Sequence, residues 1–217
     1  MMKTSVIFDL DGTLLDTSPG IWESIEYATK ELGYPRLTQE QLRSFIGPRL
    51  QDSFVRCCGC TEAQAEELTK VYRRRYSGGA LLNAVPYEGI FAVCEALRQR
   101  GVKLYVATSK PEPFARQILE HFGFAPYFAA IHGADMAGKV TKTDVIRLCV
   151  GDTDPGACVM VGDTAHDARG AQAAEVPFLA ALYGFGDRAE TLQYPHIGAV
   201  EAASEIVPII LGEREVR

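Results

Sequence analysis

FDLDGT, residues 8–13, closes the first apolar run of the chain. The run before it, TSVIFDL (4–10), is short and rich in β-branched residues, which predicts a buried parallel strand. Two aspartates then stand one residue apart, followed at once by Gly-Thr. Carboxylates crowded at a strand end repel one another, so this strand tip needs a compensating charge.

Working outward, residues 17–82 read as helical, with no strand signal. Positions 21, 25, 28 and 32 share an apolar face, with Ser18 as N-cap, Pro19 at the first helical position and Gly33 as the stop. A short helix follows Thr38. Another is expected from about 50 to 58, with Gly47 and Pro48 as the turn before it and Gly59 as its stop. TEAQ (61–64) has the form of a capping box and opens a helix toward residue 76.

After Pro86 the pattern alternates. Helix 88–100 precedes strand 102–108, helix 111–121 precedes strand 127–133, helix 144–150 precedes strand 157–163, and helix 165–174 precedes strand 176–182. Such alternation predicts a parallel sheet with helices on both faces. The expected architecture is α/β, with a Rossmann-like parallel-sheet core from 1–16 and 83–217 and an all-helical insertion at 17–82.

The 217 residues are 47% hydrophobic and 23% charged, ordinary values for a globular protein. A net charge of −6 argues against nucleic acid as the main partner. No stretch is long and apolar enough to span a bilayer, and Asp9 and Asp11 interrupt any signal-peptide pattern. Six cysteines, three of them in CCGC (57–60), do not form a disulfide framework for a chain this long. The expectation is a cytoplasmic monomer or homodimer, without nucleic-acid or membrane partners.

Ligands of open α/β sheets bind beyond the carboxyl ends of the strands. Collecting polar residues there gives Asp9 and Asp11, then Thr108 and Ser109, then Lys139 and Lys142, then Asp163 and Asp167. Carboxylates without His or Cys suit Mg²⁺, with Asp9, Asp163 and Asp167 as candidate ligands. A carboxylate beside such an ion can also attack phosphorus. Asp9 would be the nucleophile, and Asp11 would protonate the leaving oxygen and later activate water. Gly12 would let the backbone approach the phosphoryl group, Thr108 would donate to a transferring oxygen, and a lysine would neutralise developing charge.

FDLDGT, the ATSK at 107–110, a lysine before a helix and VGDTAHD at 161–167 together resemble the haloacid dehalogenase superfamily. Its four motifs, DxDGT, a strand ending in Thr or Ser, a Lys and GDxxxD, occur here in order. The resemblance implies a nucleophilic Asp9, an acid/base Asp11, bound Mg²⁺ and a metal contact from the Asp11 backbone carbonyl. It also makes the helical insertion look like the four-helix cap of the subfamily that includes phosphoglycolate phosphatase. GKVTKTDVI leaves Lys139 and Lys142 open, with Lys142 favoured because it directly precedes the helical pattern.

Dehalogenase members lack the second aspartate, so Asp11 disfavours dehalogenation. The expected activity is hydrolysis of a small phosphorylated metabolite, similar to phosphoglycolate phosphatases or 5′-nucleotidases. The alternatives are a β-phosphoglucomutase-like phosphomutase and a phosphate-binding regulatory protein. Arg49, in the segment that faces the active site in capped relatives, is a candidate for a substrate carboxylate or second phosphate, and Ser109 for a phosphate contact. RRR (73–75) reads as a solvated face, Trp22 as core packing, and YGFG (183–186) as a flexible loop at the site rim.

Overall fold

The structure is a computed structural model that describes residues 3–46, 48–136 and 139–213. The chain divides into two compact units, Met1–Asp16 with Pro86–Arg217, and Thr17–Val85. The sequence reading put the second boundary at 82/83, three residues early. The chain at Asn83 still belongs to the helical unit: its carbonyl accepts from Gly20 N at 2.9 Å and its side chain donates to Glu23 at 3.1 Å.

The first unit opens with β1 (Ser5–Phe8) and the two-residue β2 (Leu15–Asp16). The helical unit follows with α1 (Ser18–Glu31), α2 (Gln39–Arg43), α3 (Leu50–Cys58) and α4 (Glu62–Ser77). The N-cap of α1 is Thr17 rather than Ser18, so Pro19 stands second in the helix. Proline is tolerated there because the first-turn N–H groups have no helical partner. Thr38 and Thr61 close capping boxes with Gln41 and Gln64, and Gly59 ends α3 in the left-handed region. The Trp22 indole donates to Leu42 O at 3.1 Å and ties α1 to α2. Arg74 pairs with Glu31, and Arg75 with Glu23, all at the surface. The turn expected at Gly47 lies outside the described residues.

The chain returns to the first unit through β3 (Val85–Pro86), α5 (Ile90–Gln99), β4 (Lys103–Pro111), α6 (Glu112–His121), β5 (Ala130–Ala134), α7 (Lys142–Val150), β6 (Cys158–Gly162), α8 (Ala165–Ala173) and β7 (Phe178–Ala181). It closes with three short elements not foreseen from the sequence: α9 (Arg188–Thr191), β8 (Gly198–Val200) and α10 (Ile206–Ile210). Six strands form one parallel sheet in the order β5-β4-β1-β6-β7-β8. The strand β4 runs three residues past the expected end, with a register shift against β5 between Thr108 and Pro111.

Side chains alternate across a strand, so each face can be read separately. Ile7, Ala107, Met160, Phe178 and Ala180 pack in one buried cluster with Val145 and Ile146 of α7 and Ala168 and Ala171 of α8. The alternate residues Val6, Phe8, Val106, Val159 and Val161 are equally buried, so the central strands are covered on both sides. Among the described residues, no helix is long and apolar enough to cross a membrane.

Candidate active site

β1 and β6 are adjacent and parallel, with Phe8 opposite Val161, so the residues just beyond them emerge side by side. Asp9 follows β1 and is anchored by its N–H to Val161 O at 2.9 Å. Asp163 follows β6. Asp167 is the third residue of α8, where Thr164 and Asp167 form a capping box. One carboxylate oxygen each of Asp9, Asp163 and Asp167 lie within 4.8 Å of one another, and all three residues are buried.

Lys142 is the first residue of α7, and the capping box of Thr141 with Asp144 fixes that helix start. Its ammonium donates to Asp9 Oδ1 at 2.6 Å, to Ala107 O at 2.7 Å, and contacts Asp167 Oδ1 at 2.7 Å. Of the two lysines left open, Lys142 is therefore the one at the carboxylates. Lys139 is exposed, and its backbone N–H donates to Asp135 at 2.6 Å.

Three buried carboxylates face one ammonium here, and the imbalance shows in their protonation. Burial, with the charges of Asp167 and Asp11, pushes Asp9 up to about 7 against the pull of Lys142. Burial, with Asp167 and Asp9, holds Asp163 well above the usual carboxylate range. Burial alone would also raise Asp167, but Lys142 and the Thr164 hydrogen bonds keep it below that range. Burial acts to neutralise Lys142, and the two carboxylates overcome it and keep it charged.

Each carboxylate is also oriented. Asp167 Oδ2 accepts from Thr164 N at 3.0 Å and Oγ1 at 2.7 Å. Asp163 Oδ2 accepts from Phe185 N at 2.7 Å, and its Oδ1 from Thr13 Oγ1 at 3.4 Å. YGFG is thus built against Asp163 rather than set out as a rim loop. Tyr183 donates to Thr13 O at 3.0 Å, and a Cβ on Gly184 would stand 2.3 Å from Asp163 Cβ and 2.4 Å from Gly12 O. Gly12 has φ +84°, and a Cβ there would meet Asp163 Oδ2 at 2.1 Å, so only glycine fits this turn.

The other candidates are more dispersed. The Asp11 side chain is not in the carboxylate trio but pairs with Lys110, at 2.8 and 3.0 Å from its two oxygens. Lys110 carries no signal of its own in the sequence, because the strand expected at 102–108 ends at Thr108 and so leaves Lys110 beyond it. Thr108 is buried at the end of the sheet's regular register, and its Oγ1 accepts from Lys110 N at 3.1 Å. Ser109 is exposed on the opposite side of β4. Arg49 belongs to the helical unit, exposed at the residue before α3.

Oxygen donors alone, two of them holding protons for want of a compensating cation, match the ligand preference of Mg²⁺. Asp9 and Asp163 fit that use directly. Asp167 lies within reach, but both of its oxygens already accept hydrogen bonds, one from Lys142.

The arrangement has a family. The model of the haloacid dehalogenase-like hydrolases matches residues 6–181, which spans β1 through β7. The chain belongs to the haloacid dehalogenase-like hydrolases. Within this hydrolase family it is 40% identical over 189 residues to a 5′-nucleotidase of Pseudomonas aeruginosa, covering 86% of each chain. It is 36% identical over 213 residues to the tyrosine-protein kinase PtkA of Mycobacterium tuberculosis, covering 94% of this chain and 72% of that one. The solved structure of a haloacid dehalogenase-like hydrolase from Streptococcus pneumoniae superposes with TM-score 0.89 at 30% identity, over 94% of this chain and 97% of that one.

Proposed function

We propose that this enzyme hydrolyses small phosphomonoesters with Mg²⁺, by way of a phosphoryl group carried on Asp9. The observation that carries this reading is the ion pair of Asp9 with Lys142 inside a buried cluster shared with Asp163 and Asp167. When bound, Mg²⁺ would be held by Asp9, Asp163 and the Asp11 carbonyl, with Asp167 beside them, and would neutralise carboxylate and phosphoryl oxygens.

In the first step an Asp9 carboxylate oxygen attacks phosphorus and the bond to the leaving oxygen breaks. Asp11 gives that oxygen its proton. In the second step water attacks the same phosphorus, Asp11 takes the water's proton, and the bond to Asp9 breaks to release inorganic phosphate. Lys142 holds Asp9 in line and opposes the charge that builds on the phosphoryl oxygens. Thr108 donates to one of those oxygens.

The 40% identity to a 5′-nucleotidase supports a nucleoside monophosphate as substrate, with phosphoglycolate as the second choice. The test is phosphate release from a panel of nucleoside monophosphates, phosphoglycolate, sugar phosphates and p-nitrophenyl phosphate, with Mg²⁺ and with chelator. Mg²⁺-dependent turnover of one member is the expected result. Phosphate that stays on a sugar product would instead favour a phosphomutase, and silence across the panel would favour a binding protein.

A further inference from the structure

Lys110 has no part in the steps above, and the construction of its pair with Asp11 is specific. β4 does not stop at Thr108; its register shifts there and the strand runs on to Pro111. The Thr108 hydroxyl braces the shifted backbone by accepting from Lys110 N at 3.1 Å. Lys110 consequently points inward, with only 6% of its side chain exposed, and its ammonium reaches both oxygens of Asp11, at 2.8 and 3.0 Å. The partner is 99 residues away in sequence. Burying a lysine is unfavourable unless it is paired, so the site keeps this ammonium for the carboxylate it holds.

We propose that Lys110 is a positioning residue for Asp11, fixing the carboxylate through both oxygens at the place where it meets the leaving oxygen. This rests on the acid/base role proposed for Asp11. A lone aspartate side chain can populate several rotamers. A general acid works only within hydrogen-bond reach of its target, and a misplacement of about 1 Å lowers the rate on the order of 100-fold. Lys110 removes that freedom before substrate arrives.

The test uses two leaving groups. p-Nitrophenolate departs as an anion and needs little protonation, whereas the alkoxide of 2-phosphoglycolate or a nucleoside 5′-monophosphate needs a proton. Asp11→Asn, Lys110→Met and Lys110→Arg are compared with wild type on both, with circular dichroism as the folding check. For Lys110→Met, kcat/KM on the alkyl phosphate should fall on the order of 100-fold; this ratio reports the first step, whereas kcat also contains the second step, which is common to both substrates. The loss in kcat/KM on p-nitrophenyl phosphate should be clearly smaller, and Lys110→Arg should recover part of the loss. Asp11→Asn should show the same grading.

Equal losses in kcat/KM on both substrates, or no loss, would overturn the positioning role while a graded Asp11→Asn leaves the acid role standing. An ungraded Asp11→Asn would remove the acid role itself, and the proposal with it. If Lys110→Met does not fold, Lys110→Gln and Lys110→Arg carry the same comparison.

Discussion

The ammonium of Lys142 lies 2.6 Å from Oδ1 of Asp9, although 133 residues separate them in the chain. A second contact at 2.7 Å joins it to Asp167. One cation thus serves two of the three buried carboxylates, and the stability of the metal-free protein depends on it. Removing one partner of a buried pair leaves uncompensated charge and typically costs about 3–5 kcal/mol. Lys142→Met should therefore lower the unfolding free energy in chelator by about that amount, read from urea denaturation. Addition of Mg²⁺ should recover part of the loss.

The same imbalance predicts a pH-dependent response to Mg²⁺. Asp9 has a folded-state value of about 7 against 3.8 for an ordinary aspartate, and Asp163 is raised too. The folded protein therefore binds these protons more tightly than the unfolded chain. Metal-free stability should fall as pH rises from about 4 to about 7, where the buried groups lose their protons. Mg²⁺ offsets the exposed charge above that window and must displace protons within it. The rise in melting temperature on adding Mg²⁺ should be larger near pH 8 than near pH 5.5. An equal rise at both would remove the assigned link between these carboxylates and the ion.

Gly184 has no room for a side chain, since a Cβ would stand 2.3 Å from Asp163 Cβ. Gly184→Ala forces either the loop or the Asp163 carboxylate to move, and overpacking of this kind costs about 1–3 kcal/mol. The expected outcome is a lower melting temperature together with a smaller Mg²⁺-induced shift. Thermal melts of wild type and variant, with and without Mg²⁺, check both parts.

The carboxylates and Lys142 were legible in the sequence because each stands at a punctuation mark. Asp9 and Asp163 follow apolar strands, and Asp167 and Lys142 fall in helix starts marked by Thr164 and Thr141. Lys110 was not legible, because β4 reads as ending at Thr108 and the bulge that turns the lysine inward leaves no periodic signal. The role of YGFG was hidden for a different reason. Its glycines read as freedom, whereas they are there because Asp163 and Gly12 leave no space for a Cβ. Beyond residue 186, the strand Gly198–Val200 is too short for alternation to register.

The choice of Asp9 as nucleophile has one direct check. Wild type and Asp9→Asn are mixed with the best substrate and Mg²⁺, quenched in acid within a single turnover, digested and analysed by mass spectrometry. Wild type should carry a phosphoryl group on the peptide containing Asp9, and Asp9→Asn should carry none and release no phosphate. Turnover by Asp9→Asn, or a phosphoryl group found on another residue, would contradict the account.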